Sequence, residues 1–179
     1  PNLSYKGFKS VFTELSKLVE GDQIKGNFHN DISLHGKTTT AFKHIMDLVI
    51  KQWKKVEIIC ADTDYGTITE AINSYNTGEN IHRIEIKDDI FKDGFSLSEV
   101  NLFYLKKLKD KNIHRSSKLV VVLTHVLSES GLVLDNIPQL VKDIKSKYKN
   151  TVIIIDGAQA LGNIQVSKEI LQLSDFYIS

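Results

Sequence analysis

Short apolar runs alternate along this chain with longer segments whose apolar residues recur every three or four positions. That alternation predicts an α/β fold, a mainly parallel sheet with helices on both faces. Residues 8–19 carry the helical period through Val11, Phe12, Leu15, Leu18 and Val19, and residues 38–53 carry it through Phe42, Ile45, Met46, Val49 and Ile50. A third helix is predicted over residues 68–75 and a fourth over 96–109, where Ser96 and Glu99 have capping-box spacing. A fifth spans 135–148, with Asp135 as N-cap and Pro138 in the first turn, where a missing N–H does no harm. Between the helices lie strand-length runs at residues 32–34, 56–61, 81–86, 119–123, 152–155 and 176–178. Val120-Val121-Val122-Leu123 and Val152-Ile153-Ile154-Ile155 are apolar at every position, which predicts strands buried on both faces. No repeat or low-complexity linker interrupts the pattern, so residues 1–179 read as one unit.

Several of these runs end abruptly in residues able to bind or react. Ile32-Ser33-Leu34 gives way to His35-Gly36-Lys37-Thr38-Thr39-Thr40, and the run 56–61 to Asp62-Thr63-Asp64-Tyr65-Gly66. Leu123 is followed by Thr124-His125, Ile155 by Asp156-Gly157-Ala158-Gln159, and Ile178 by Ser179. Ligands of open α/β sheets sit outside the carboxyl ends of the strands, so these residues are expected to share one rim. Residues 36–40 precede a helix whose free N–H groups and dipole suit a phosphate, while a threonine there equally serves as a plain helix cap. Gly36-Lys37-Thr38 also matches the end of a nucleotide P-loop, but Asp31 stands where that motif requires glycine. Asp156, directly after four β-branched residues, either finds a cationic partner or caps the next turn.

Composition narrows the field. With 41% hydrophobic and 25% charged residues the chain has the make-up of a globular protein, and a net charge of +1 with no basic stripe gives no footprint for nucleic acid. No apolar stretch reaches the ~18 residues of a membrane span. Cys60 is the only cysteine; it lies in an apolar run, reads as a buried small hydrophobe, and fits a reducing cytoplasm. With one cysteine, no disulfide or cysteine-based zinc site forms within the chain, and no metal site is expected. The opening Pro1-Asn2-Leu3-Ser4 has no secretory pattern, and both ends read as cuts within a larger protein.

Three segments together resemble the large domain of class V, fold type I pyridoxal 5′-phosphate (PLP) enzymes, the group of cysteine desulfurases and isopenicillin N epimerase. They are Thr124-His125-Val126-Leu127-Ser128-Glu129-Ser130-Gly131, then Ile155-Asp156-Gly157-Ala158-Gln159-Ala160-Leu161-Gly162, then Ser174-Asp175-Phe176-Tyr177-Ile178-Ser179. Family members read S-H-V-x-N-x-T-G, V-D-G-A-Q-x-x-G and D-F-x-x-x-S-x-H-K at similar spacing. Thr38-Thr39-Thr40-Ala41 is similar to the family's T-T-E-A phosphate turn, and Asp64-Tyr65-Gly66 to its E-H or E-Y-G segment. The resemblance implies PLP as cofactor, an amino-acid substrate and a homodimer. It implies that Asp156 pairs with the pyridine nitrogen, Gln159 meets the phenolic oxygen, Tyr65 stacks on the ring, and Thr38, Thr39 and Ser179 hold the phosphate.

Ser128 stands where many desulfurases have asparagine near the cofactor oxygen, and Tyr65 replaces their histidine; both choices resemble the isopenicillin N epimerase branch. Thr40 replaces the usual glutamate, and Lys37 is unusual beside a phosphate turn. The lysine that binds the cofactor covalently is expected two residues past Ser179, with an N-terminal arm and a small domain also outside the chain. The resemblance therefore implies epimerase-like or desulfurase-like chemistry on an amino acid. The alternatives are a catalytically degenerate member kept as a binding or assembly module, and a phosphate-binding NTPase using Lys37 and Thr38.

Overall fold

The computed structural model describes residues 33, 35–78, 80–90, 97–110, 113–134 and 136–179. The helix predicted over residues 8–19, the strand at 32–34 apart from Ser33, and the Ser96 cap lie outside them. In chain order the elements are α1 (Thr38–Trp53), β1 (Glu57–Ala61), α2 (Gly66–Asn73), β2 (Ile81–Ile84), α3 (Lys87–Ile90), α4 (Leu97–Asp110), β3 (Leu119–Thr124), α5 (Ile137–Lys147), β4 (Thr151–Asp156), α6 (Lys168–Leu173) and β5 (Phe176–Ile178). The five strands form one sheet in the order β2-β1-β3-β4-β5, every neighbouring pair parallel. The expected α/β class, with helices on both faces of a parallel sheet, is the observed one.

Strand alternation divides the core in two. Ile58, Cys60, Val120, Val122 and Ile154 face α1 and α2, meeting Phe42, Ile45, Met46, Ile68 and Ile72. Their neighbours Ile59, Ala61, Val121, Leu123, Ile153 and Ile155 face α4, α5 and α6, meeting Val100, Tyr104, Leu140, Ile144 and Ile170. Because both faces are covered, every residue of β3 is buried, which is why its sequence is apolar without a break until Thr124. Cys60 is fully buried on the α1 face, and burial pushes its thiol up to about 12.

Differences from the sequence pattern have local causes. The run at 81–86 leaves the ladder after Ile84 because the Asp62 carboxylate accepts the N–H groups of Ile86 and Lys87, at 3.0 Å each on Oδ1. Those contacts tie the end of β1 to the start of α3. The N-cap of α5 is Asn136 rather than Asp135, with Pro138 in the first turn as expected. The third helix starts at Gly66, ahead of the apolar residues that announced it. Helix α6 went unpredicted: its six residues are too short to show a period, although Ser167 accepts the Ile170 N–H as a helix cap.

Ile154 is fully buried in β4, paired on one side with β3 and on the other with β5. Ile154→Ala is expected to lower the unfolding free energy by about 2–5 kcal/mol. Leu102→Ala, at a position 66% exposed on α4, is expected to change it by less than about 0.5 kcal/mol. Denaturant titration of both variants measures the contrast.

Candidate functional site

The strand order places a switch point between β1 and β3: the chain leaves β1 towards β2 at one edge, then returns to lay down β3, β4 and β5 on the other side. Crevices at such points, beyond the carboxyl ends of the strands, are the ligand sites of open α/β sheets. Here the crevice is a cleft of about 320 Å³. Its walls come from the start of α1 (Lys37, Thr38, Thr39), Tyr65 before α2 and Thr67 in its first turn, and from the ends of β3 and β4 and the segments that follow them (Thr124, Val126, Ser128; Asp156, Ala158, Gln159). Of the residues singled out in the sequence, Thr38, Thr39, Tyr65, Ser128, Asp156 and Gln159 all line this cleft. Ser179 is not among its walls; it directly follows β5 on the same edge of the sheet, where Ile178 is in register with Asp156.

The start of α1 brings unpaired backbone N–H groups to the cleft wall. The N-cap of α1 is Lys37, in extended conformation and without a side-chain cap, so Thr38 and Thr39 stand inside the first turn rather than capping it. Their N–H groups are among those a helix leaves unpaired, at the positive end of its dipole. The start of α2 meets the same place: the Thr39 and Thr67 hydroxyl oxygens lie 2.8 Å apart, joining the first turns of two helices.

The cleft wall also carries an acid. Asp156 closes β4 and is only 4% exposed. Its Oδ1 accepts the Ala158 N–H at 3.0 Å, so it does cap the next turn. Among the described residues no cationic side chain pairs with it, and burial raises its carboxyl above the usual range, opposed by the Ala158 N–H. Tyr65, 52% exposed, also lines the cleft.

Two further groups carried no assignment in the sequence. Asp64 is buried; its Oδ1 accepts the Thr124 hydroxyl at 2.7 Å and its Oδ2 the Ala61 N–H at 3.0 Å. Burial lifts this carboxyl to about 7, and the neighbouring Asp156 adds to the rise. An acid three residues past an apolar strand was the signal, and it lay in the segment matched to E-Y-G. The second group is a stack behind Asp156. His125 Nδ1 and the Tyr177 hydroxyl are 3.0 Å apart, their rings edge-on at 6.0 Å. A Cβ added at Gly157 would run into the Tyr177 ring, so the glycine makes room for it. Burial, followed by the charge on Asp156, raises the Tyr177 phenol well beyond its ordinary value.

No family model matches the sequence, and no curated protein matches it. Solved structures match in fold. The SepCysS–SepCysE N-terminal domain complex superposes with a TM-score of 0.55 at 15% identity, over 95% of this chain and 40% of that one. YbdL from Escherichia coli, described with a methionine aminotransferase function, gives 0.54 at 16% identity, over 81% and 34%. TDC from Oryza sativa, solved with PLP and tryptamine, gives 0.54 at 13% identity, over 82% and 31%. The chain thus spans well under half the length of these structures, and the fold it shares with them is that of fold type I PLP transferases.

Two predictions follow from the buried groups. Between about pH 4 and about pH 7 the folded chain holds a proton on Asp64 that the unfolded chain has already lost. Stability is therefore expected to fall as pH rises through that window and to level off above it. Asp64→Asn should flatten the slope, leaving the shallower part due to Asp156; chemical unfolding across the range measures it. Separately, Gly157→Ala is expected to destabilise by about 1–3 kcal/mol through overpacking. Much of that loss should be absent when the same change is made on a Tyr177→Ala background, a coupling read from a double-mutant cycle.

Proposed function

We propose that the cleft holds PLP and that the chain is the cofactor-binding part of a PLP-dependent enzyme acting on an amino acid. The observation that carries this is the pairing, within one small cleft, of a threonine-bearing helix N-terminus and a buried carboxyl that meets no cation among the described residues. A molecule with an anionic tail and a cationic aromatic ring satisfies both at once, and the volume lies within the range of about 300–1,000 Å³ typical of small-ligand pockets. The fold shared with PLP-bound TDC supports the same reading.

In this reading Thr38 and Thr39 grip the phosphate with hydroxyls and first-turn N–H groups. Ser179, beside the cleft rather than in it, adds a hydroxyl from the end of β5. Asp156 pairs with the pyridine nitrogen and keeps its proton in place, because removing that proton would leave the carboxylate buried and unpaired. Tyr65 covers one face of the ring and shields it from water, and Gln159 and Ser128 reach the oxygen on the ring. When bound, PLP supplies an electron sink that weakens a bond at the substrate α-carbon. We further read the chemistry as class V, epimerase-like or cysteine desulfurase-like, from Tyr65, Ser128 and the Asp156-Gly157-Ala158-Gln159 segment. The covalent lysine would follow β5, the remaining domain would lie outside residues 1–179, and the working form would be a cytoplasmic homodimer.

The full-length protein mixed with PLP is expected to develop an absorbance band in the near-ultraviolet to visible region that borohydride discharges. Thr39→Val should weaken PLP binding by about ten- to a hundredfold, the worth of a hydrogen bond to a charged group. Asp156→Asn should keep the fold but lose most of the activity. Failure of the wild-type protein to bind PLP would overturn the reading.

A further inference from the structure

We propose that Asp64 is a positioning residue of this site, which through the Thr124 hydroxyl sets the hydrogen-bonding polarity of the cleft wall and gives up a proton when the cleft is filled. The inference rests on PLP as the occupant. Asp64 is not itself a wall residue; its route to the cleft is Thr124, which is. Thr124 is in register with Asp156 across β3 and β4, and the next N–H, that of His125, binds the Asp156 carbonyl at 2.8 Å. Thr124 therefore links Asp64 to the strand position that carries Asp156.

An ionised carboxylate only accepts hydrogen bonds. With Asp64 ionised, the Thr124 hydrogen must point at Oδ1, and the cleft meets only the lone pairs of the hydroxyl oxygen. With Asp64 protonated, its own O–H can donate to Thr124, and the hydroxyl hydrogen is free to turn into the cleft. One buried proton thus decides whether this wall donates or accepts.

The groups around Asp64 determine what moves that proton. Cys60 on β1 and Tyr104 on α4 feel its charge, Arg83 on β2 favours its ionised form, and Asp156 on β4 disfavours it. A cationic ring nitrogen paired with Asp156 cancels much of the repulsion from that side. Asp64–COOH then becomes Asp64–COO⁻ and the proton leaves to solvent, so binding and proton release are linked. Asp64 also anchors the β1–α2 connection, since its carbonyl accepts the Thr69 hydroxyl at 3.2 Å and its backbone leads straight into Tyr65.

The test uses the full-length protein and PLP itself. Calorimetric titration near pH 7, in two buffers of different ionisation enthalpy, counts the protons released by wild type, Asp64→Asn, Thr124→Val and Thr124→Ser. Wild type is expected to release more protons than Asp64→Asn, and its affinity to rise with pH up to about 7 more steeply than that of the variant. The ionisations of PLP are common to all four proteins and cancel in the comparison. Thr124→Val should lose affinity several-fold and Thr124→Ser should restore it; this pair carries the test if Asp64→Asn does not fold. PLP binding with equal proton release and equal pH dependence in wild type and Asp64→Asn would overturn the inference while leaving the proposed cofactor standing. In the Thr124 pair, equal affinity in the valine and serine variants would do the same. No PLP binding by wild type would overturn both.

Discussion

Two carboxyl groups lie buried at the carboxyl edge of this sheet, and among the described residues neither is in an ion pair. Taking a carboxylate out of water without compensation is among the most expensive things a fold can do. The structure meets the demand differently at each position. Asp64 is surrounded by donors, the Thr124 hydroxyl and the Ala61 N–H, and is held close to neutral by its burial. Asp156 has one backbone donor and lines an open cleft, and burial raises its carboxyl. The apolar strands hold the acids in place, because residues 119–123 of β3 and 152–155 of β4 are each anchored in one of the two cores.

The fold was legible because a parallel sheet covered on both faces writes itself into the sequence as unbroken apolar runs, and β3 and β4 are such runs. The two longest described helices, α1 and α4, were legible for a different reason, the recurrence of apolar residues every three or four positions. What escaped was settled by contacts between distant segments. The end of β2 is decided by the Asp62 carboxylate from the far end of β1, and α6 by a single serine cap. The cleft walls could be named because the strand ends and the start of α1 show in the pattern, and the resemblance to PLP enzymes then singled out Tyr65, Ser128 and Gln159 beyond them. Asp64 and Thr124 could not be paired in advance, since they lie 60 residues apart and only the β1–β3 adjacency brings them together.

Fold and site carry different weight here. Structures no more than 16% identical share the architecture, and many chemistries share this architecture in turn. What distinguishes this cleft is its side chains: two helix starts joined through the Thr39 and Thr67 hydroxyls, an exposed tyrosine, and a buried acid with one backbone donor. Lys37 adds a cation to the same cleft wall as Thr38 and Thr39, so the lining of one small volume includes both a lysine and a buried acid.

The space beneath Tyr177 has an evolutionary corollary. Its ring occupies the volume that any side chain at 157 would need, so the two positions are not free to drift independently. Lineages that keep an aromatic at 177 must keep glycine in the turn after the buried acid. Only those that shrink 177 first can admit a larger residue there. The order in which those two substitutions occur is thus constrained, and a glycine that looks like a simple turn residue is tied to a strand more than a dozen residues downstream.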